Sequence, residues 1–288
     1  MAFKLDPNMQ LGYVQLRVQS LETQKSFYKS LGFNLLNESS TEVIFGAGSS
    51  EPILILTASE DVVPRPPRTT GLYHFAILVP SREDLAYMVG NLIKMKAPFS
   101  GAGDHLYSEA FYLTDPEGNG IEIYRDRPRN EWTINDDGGI DTDTIPVDFN
   151  SIMALFDPER EWTGFPQGTI LGHMHLTVSE INDTLSSFYL KALGLDLKTN
   201  FMNSAYFMSA GGYHHHIAAN IWNGIGAPLA PSIASGLINF SLNLSSIDEL
   251  NKLKQNLIKY QVSFEEVEGK IIVKDLNQNG MIFTVKNL

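Results

Sequence analysis

An alternation of apolar and polar residues marks the start of four similar segments of the chain. In the first segment Val14, Leu16 and Val18 alternate with more polar side chains. A period of two predicts a β-strand that buries one face and leaves the other face polar. The corresponding strands of the other segments begin at Gly71, Gly172 and Gly236.

Each of these strands is followed by apolar residues at helical spacing, which predicts an amphipathic helix packed on a sheet. The clearest series are Leu85, Met88, Val89, Leu92 and Ile93 in the second segment and Leu185, Phe188, Tyr189, Ala192 and Leu193 in the third. Short apolar runs then predict returning strands, for example at 43–45, 53–56 and 121–124. Each segment therefore has the predicted order β-α-β-β-β.

The four segments are repeats of one another, and we name them A, B, A′ and B′ in chain order. Residues 12–18 of A resemble residues 172–178 of A′. Residues 71–85 of B align with residues 236–250 of B′. Self-similarity of this kind predicts one structural unit used four times.

Joints rich in Pro and Gly separate the units, and the longest joint divides the chain into halves. We predict an N-terminal pair of βαβββ units in residues 1–125, a linker in 126–169 and a C-terminal pair in 170–288. Because the first strands keep one polar face, each sheet is expected to curve into a cupped half-barrel around a polar site.

The composition of the chain excludes several classes of function. Among 288 residues there are 21 Lys and Arg against 33 Asp and Glu, a net charge of −12 that argues against nucleic-acid binding. The absence of Cys excludes disulfides and thiolate chemistry. No apolar run reaches the roughly 20 residues of a membrane span, and the first residues do not resemble a signal peptide. We expect a cytoplasmic protein, and the sequence is compatible with a homo-oligomer.

The seven histidines are concentrated in units B and A′. His74 and His173 occupy equivalent positions on the first strands of these units. A lone strand histidine is more commonly a hydrogen-bonded core residue than a ligand. Neutral imidazole is nevertheless a common metal ligand, and equivalent strands place two rings symmetrically about a cavity. The pair therefore favours a metal site.

Glu122 is the candidate third ligand. It alternates with Ile121 and Ile123 in an otherwise apolar strand, where an unpaired carboxylate would be costly to bury. The equivalent residue of B′ is Ile282, so the fold itself does not require a carboxylate there. On an edge strand Glu122 would simply be a surface residue. Two His and one carboxylate form the facial triad of ferrous oxygenases, although Mn, Ni or Zn fits the same set.

Four segments that carry these residues resemble a known family. Residues 71–76, 115–122, 172–176 and 209–216 are similar to the vicinal oxygen chelate superfamily and, within it, to the extradiol catechol 2,3-dioxygenases. The resemblance extends over nearly the whole chain. It implies an α+β fold in which four βαβββ units form two cupped half-barrel modules.

The resemblance also implies that two units cup one metal, with ligands from the first strand of each and the last strand of one. Pairing A with B leaves Tyr13 in a ligand position, and pairing A′ with B′ leaves Ile282 there. Pairing B with A′ gives the complete set His74, His173 and Glu122. We therefore predict one metal site, formed across the linker.

Further roles follow from the resemblance. His215 looks like the base of the extradiol enzymes that takes a proton from the diol, although His214 and His216 leave the register open. Tyr112, ten residues before Glu122, looks like the tyrosine that donates a hydrogen bond to the substrate, although it could equally be a strand-packing residue. The weaker candidates for substrate binding are His105, His175, His214, His216, Phe111, Tyr206 and Trp222, of which His105 could be a plain loop residue.

We therefore expect an extradiol dioxygenase that uses Fe(II) and O2 to open the ring of a small aromatic diol. Because one fold hosts several reactions, three alternatives stay open. A hydroquinone-cleaving dioxygenase needs the same triad. A lyase or isomerase of glyoxalase type would use Zn or Ni with a second carboxylate. A metal-free protein that binds an aromatic compound or drug needs no ligand set.

Overall fold

The computed structural model describes residues 2–286 and contains four βαβββ units in the predicted order. Unit A comprises β1 (Gln10–Val18), α1 (Leu21–Ser30), β2 (Asn34–Glu38), β3 (Glu42–Gly46) and β4 (Leu54–Ala58). Unit B comprises β5 (Gly71–Leu78), α2 (Arg82–Lys94), β6 (Phe99–Asp104), β7 (Ser108–Thr114) and β8 (Gly120–Asp126). The linker contains a 3₁₀ turn (Arg129–Glu131) and the short helix α3 (Phe149–Met153).

The second half repeats this order. Unit A′ comprises β9 (Ile170–Thr177), α4 (Asp183–Ser186) with a π-helical continuation (Ser187–Ala192), β10 (Asp196–Phe201), β11 (Ala205–Ser209) and β12 (Ile217–Asn220). Unit B′ comprises β13 (Gly236–Leu244), α5 (Ile247–Lys259), β14 (Phe264–Val267), β15 (Lys270–Lys274) and β16 (Gly280–Val285). Within the described residues, no helix is both long and apolar enough to cross a membrane.

Side-chain caps fix the start of the helix in every unit. The capping oxygens accept hydrogen bonds from backbone N–H groups three residues further on, and the caps are Ser20, Ser81, Asn182 and Ser246. This satisfies a donor that the helix itself leaves unpaired. The same local signal therefore begins the helix of each unit.

The π-helix of A′ accommodates one inserted residue. Tyr28 precedes Leu31 by three positions in A, whereas the equivalent Tyr189 precedes Leu193 by four. Wider π turns absorb such an insertion without ending the helix. As a result Tyr28 and Leu31, and also Tyr189 and Leu193, are all fully or almost fully buried.

The strands form two eight-stranded sheets, each with one unit from either half of the chain. The first sheet has the order β14-β15-β16-β13-β1-β4-β3-β2, and the second has the order β10-β11-β12-β9-β5-β8-β7-β6. At the centre of each sheet two first strands pair antiparallel, β1 with β13 and β5 with β9. The predicted pairing of B with A′ is confirmed, and A pairs with B′.

The apolar faces of both sheets pack against the helices and form the main core. Val14, Leu16 and Val18 are fully buried there, as the alternation predicts. In β5 the same face carries Phe75 and Ile77. The opposite, polar face of each sheet lines its cup, which leaves the histidines of β5 and β9 on the concave side.

Two equivalent hydrogen bonds connect the modules. Tyr28 of A donates to Asp115 of B (2.9 Å), and Tyr189 of A′ donates to Asp275 of B′ (2.8 Å). All four side chains are buried. Each aspartate also accepts hydrogen bonds within its own turn, from Asn119 in one case and from the equivalent asparagine in the other. The Asp-x-x-x-Asn-Gly repeat is thus a structural turn that joins a sheet of one module to a helix of the other.

We predict that Tyr28→Phe and Tyr189→Phe each lower the free energy of unfolding by about 1–2 kcal/mol, because each removes one donor from a buried carboxylate. Urea denaturation measures the change. Tyr260→Phe, at the exposed end of α5, is the control and should leave the midpoint unchanged. If all three variants were as stable as the wild type, the two buried hydrogen bonds would contribute nothing to stability.

Candidate metal centre

Three neighbouring strands bring His74, Glu122 and His173 together. Ala76 of β5 lies beside Glu122 of the parallel strand β8 and opposite His173 of the antiparallel strand β9. His74 lies two positions before Ala76 on the same strand. Because the residue between them is an alanine, the three longer side chains can converge above it.

The ligand atoms are close and almost fully withdrawn from solvent. Nε2 of His74 lies 2.9 Å from Oε2 of Glu122, and Nε2 of His173 lies 3.3 Å from the same oxygen. The two Nε2 atoms are 3.3 Å apart. No other group of three potential ligands as compact as this occurs in residues 2–286.

The donor set fits a divalent metal ion. Two imidazole nitrogens and one carboxylate oxygen suit Fe, Mn, Ni or Zn and leave coordination positions open. Burial lowers the pKa of His173 to about 4 in spite of the neighbouring Glu122. Burial alone would raise the pKa of Glu122, but the two imidazoles outweigh it and hold that pKa well below its ordinary value. At neutral pH His173 is therefore neutral and Glu122 is ionised, which are the forms that metal ligands need.

The centre opens into a cavity of about 640 Å³. His175 and Trp222, two of the candidates for substrate binding, line it, and the ring of His175 lies 5.1 Å from the indole. Tyr73 and Phe207 complete this wall, at 5.0 and 5.7 Å from His175. The rings of this wall are tilted by 59–68° against the ring of His175. The cavity thus has an aromatic wall close to the candidate metal ligands, which suits an aromatic ligand.

Tyr112 and His105 form a hydrogen-bonded pair in the cavity. Nε2 of His105 lies 2.5 Å from the Tyr112 hydroxyl, and Nδ1 lies 3.1 Å from the carbonyl oxygen of Asp143. A carbonyl only accepts, so Nδ1 carries the proton and Nε2 accepts from Tyr112. Burial and the charge of Glu122 raise the pKa of Tyr112 well above 10, so the hydroxyl stays protonated. His105 is thus more than a plain loop residue.

His215 is the member of the three consecutive histidines that faces the cavity. Its ring lies 4.2 Å from that of His173, and its Nε2 atom is buried without a hydrogen-bond partner among the described residues. Burial lowers the pKa of His215 well below 6.5, so the imidazole is neutral. A neutral nitrogen that has no partner among the described residues and lies beside the candidate metal ligands is suited to accept a hydrogen bond or a proton from a bound molecule.

Four predicted substrate-binding residues do not line the cavity. Phe111 packs in the core against Phe99, because it alternates with Tyr112 along β7. Tyr206 likewise packs on the core side of β11, and Phe207 takes the cavity position. The prediction that Phe111 and Tyr206 contact the substrate is therefore wrong in position, because side chains alternate between the two faces of each strand. In β11 the continuous apolar run concealed which face each residue takes.

His214 and His216 lie behind the cavity wall. His214 stacks on Tyr107, with ring centroids 4.2 Å apart and planes 12° apart. His216 packs against Tyr213, and its Nδ1 accepts a hydrogen bond from the backbone N–H of Ala210. The irregular segment between β11 and β12 turns these two side chains away from the centre, which corrects their predicted role in substrate binding.

The linker supports this segment from behind. Trp132 of the linker packs against Tyr107, His214 and Tyr213. Arg129 donates a hydrogen bond to the carbonyl oxygen of Gly212 (2.8 Å). Sequence reasoning missed Tyr107 and Trp132, since neither belongs to a repeated motif.

Among the described residues, the cup formed by A and B′ has no such group of ligands. Asn239, which is equivalent to His74, donates a hydrogen bond to Gln15 (2.8 Å), and Gln15 donates to Thr57 (2.9 Å). Ile282 stands where β8 has Glu122. Amide side chains therefore bond to one another in place of a histidine–carboxylate set.

The fold and the centre define a class of proteins in which paired βαβββ units cup a candidate metal site of two histidines and one glutamate. The family model of the Glyoxalase/Bleomycin resistance protein/Dioxygenase superfamily matches residues 10–123. The chain is 41% identical over 268 residues to a catechol-2,3-dioxygenase of Bacillus subtilis (strain 168), covering 92% of this chain and 93% of that protein. This chain belongs to that superfamily, the vicinal oxygen chelate proteins.

Solved structures agree on the fold. A provisionally named dioxygenase from Bacillus subtilis subsp. subtilis str. 168 has a TM-score of 0.67 at 14% identity, covering 99% of this chain and 87% of that one. Glyoxalase I from Zea mays has a TM-score of 0.57 at 14% identity, covering 96% and 92%. At these identities the likeness concerns the fold alone.

We predict that His74→Ala and His173→Ala abolish retention of iron, because two remaining ligands hold a divalent ion weakly. After anaerobic loading with Fe(II) and desalting, elemental analysis should find about one iron per wild-type chain and almost none in either variant. Asn239→Ala, the equivalent change in the other cup, is the matched control and should retain iron. Equal retention by His173→Ala and the control would refute the assignment.

Proposed function

We propose that this protein is an Fe(II)-dependent extradiol dioxygenase that cleaves the ring of a catechol-type diol and incorporates both atoms of O2. One observation carries the proposal: His74, Glu122 and His173 converge beside the unpartnered nitrogen of His215 in an aromatic-walled cavity. The 41% identity to a catechol-2,3-dioxygenase over most of the chain supports the same reaction.

His74, Glu122 and His173 would hold the metal. When bound, ferrous iron supplies a Lewis-acidic centre for the two diol oxygens and a path for electrons between the ring and O2. Glu122 contributes the one charged side chain of the triad, and its negative charge is buried with it. The residues around the triad determine how the diol is oriented and where its protons go.

His215 is placed to act as the base. Its neutral Nε2 would accept the proton of one diol hydroxyl: the O–H bond breaks, its electron pair stays on the oxygen, and an N–H bond forms. The lowered pKa of His215 keeps this nitrogen free in the absence of substrate. Deprotonation strengthens the diol as a ligand and makes its ring more electron-rich.

Tyr112 would orient the second oxygen. Its hydroxyl donates to His105 in the substrate-free protein and can turn to donate to a diol oxygen that enters the cavity. The raised pKa of Tyr112 ensures that it acts as a donor. The aromatic ring of the substrate would lie against Trp222 and Phe207.

The test is oxygen uptake by anaerobically iron-loaded protein given catechol, with an absorption spectrum of the product. We expect uptake together with the yellow colour of a ring-opened product, and neither with His173→Ala. Uptake without colour would indicate hydroquinone cleavage or simple oxidation instead. Bound iron without uptake would favour a lyase, and no bound metal would favour a binding protein.

We also predict that His215→Ala lowers kcat for catechol by roughly 10²-fold or more, since a positioned base contributes about that much. Iron content should stay at the wild-type level because His215 is not one of the three ligands. Steady-state kinetics with parallel metal analysis measures both. A variant with unchanged kcat at full iron occupancy would remove His215 from the proposed mechanism.

A further inference from the structure

A chain of hydrogen bonds leads from the surface of the second module to the cavity. Oδ1 of Asp126 lies 3.0 Å from Nε2 of His214, and Nδ1 of His214 lies 2.8 Å from Nδ1 of His215. His215 lines the cavity, and its remaining nitrogen, Nε2, is buried without a hydrogen-bond partner among the described residues. The three side chains thus form a single line that ends at the metal centre.

The direction of these hydrogen bonds follows from the chemistry of the first partner. A carboxylate has only acceptor atoms, so Nε2 of His214 must carry a proton. His214 is almost fully buried, where a second proton on the ring would be costly, and a neutral imidazole holds one proton, which leaves its Nδ1 as an acceptor. Nδ1 of His215 must then be the donor in the contact between the two rings.

We infer that Asp126 and His214 fix the tautomer of His215, so that its proton lies on Nδ1 and the lone pair of Nε2 is directed into the cavity. Both are positioning residues, since neither lines the cavity. The inference rests on the proposed function only in one respect, namely that this lone pair accepts the proton of a diol hydroxyl. The same orienting role is played by the carboxylate of a catalytic triad, which holds a histidine in its productive tautomer.

The surroundings hold this arrangement in place. Tyr107 stacks on His214, and Trp132 packs against the same ring at 5.4 Å. Tyr213 donates a second hydrogen bond to Oδ1 of Asp126 (3.3 Å), and its own oxygen lies 2.7 Å from the hydroxyl of Tyr124. His214 is therefore fixed in both position and ring orientation, and the linker contributes to this through Trp132.

When His215 accepts the diol proton, the line also stabilises the product of that step. Nδ1 of the resulting imidazolium donates a charge-assisted hydrogen bond to Nδ1 of His214. The carboxylate of Asp126, which is bonded to the other nitrogen of His214, balances the positive charge. No further proton needs to move. A buried imidazole without this neighbour would hold the charge less well.

The tautomer can be measured directly by nitrogen-15 NMR of the imidazole rings, in metal-free and in zinc-loaded protein. Variants in which one histidine at a time is replaced assign each ring. We expect the wild-type His215 to show a protonated Nδ1 and an unprotonated Nε2. In His214→Leu the acceptor is lost, and both tautomers of His215 should appear. In His214→Asn the amide oxygen can accept from Nδ1, and the wild-type tautomer should be kept.

The matched control is His216→Gln, which changes the neighbouring histidine outside the line and should leave the tautomer unchanged. With iron and catechol, kcat of His214→Leu should fall roughly tenfold or more at a similar KM, and His214→Asn should recover most of it. Thermal unfolding of each variant verifies that it is folded.

A proton on Nε2 of wild-type His215 would overturn the inference, and so would identical tautomers in His214→Leu and His214→Asn. These readouts do not require turnover. If the tautomers respond as expected while the iron-loaded wild type consumes no oxygen with catechol, the proposed function fails and the positioning of His215 stands.

Discussion

The antiparallel pairing of β5 with β9 is the interaction on which the rest of the structure depends. It joins the first strand of unit B to the first strand of unit A′, and it sets Ala76 opposite His173. The same register buries Phe75 and Met174 in the core on the other face. Because side chains alternate along a strand, a slip of one residue would exchange the two faces and remove both the core and the ligand set.

The two modules share this architecture and differ in what fills their cups. The buried Tyr28–Asp115 and Tyr189–Asp275 bonds occur at equivalent places, so the elements that hold the modules together are present twice. The candidate ligand set occurs once in residues 2–286. Where His74 stands in one cup, Asn239 in the other bonds to a neighbouring amide. Structural symmetry is therefore retained while the candidate metal ligands are confined to the cup that the linker supports.

Burial determines the protonation states around the centre. It lowers the pKa of His173 and of His215, and it raises that of Tyr112. Glu122 stays ionised because its two imidazole neighbours outweigh the cost of burial. The centre thus combines the anionic Glu122 with the neutral imidazoles of His173 and His215 and the neutral phenol of Tyr112 at neutral pH. With a divalent cation bound, this set would leave a net positive charge, which favours an anionic form of a diol ligand.

The sequence by itself determined the fourfold βαβββ repeat, the pairing of B with A′ and the residues that meet in the candidate metal centre. The repeat and its two faces depend on period-two alternation, which strand geometry converts directly into faces. The pairing also depends on the resemblance to the vicinal oxygen chelate superfamily, which implies that two units cup one metal, and on completing the set of His74, Glu122 and His173. Only the tertiary structure decided which of His214, His215 and His216 faces the cavity, and that Phe207 rather than Tyr206 lines it. The histidines lie in an irregular segment, and β11 is apolar on both faces, so no periodic signal fixes the direction of these side chains. Their orientation follows from contacts with Asp126, Tyr107 and the linker, which are distant in the chain.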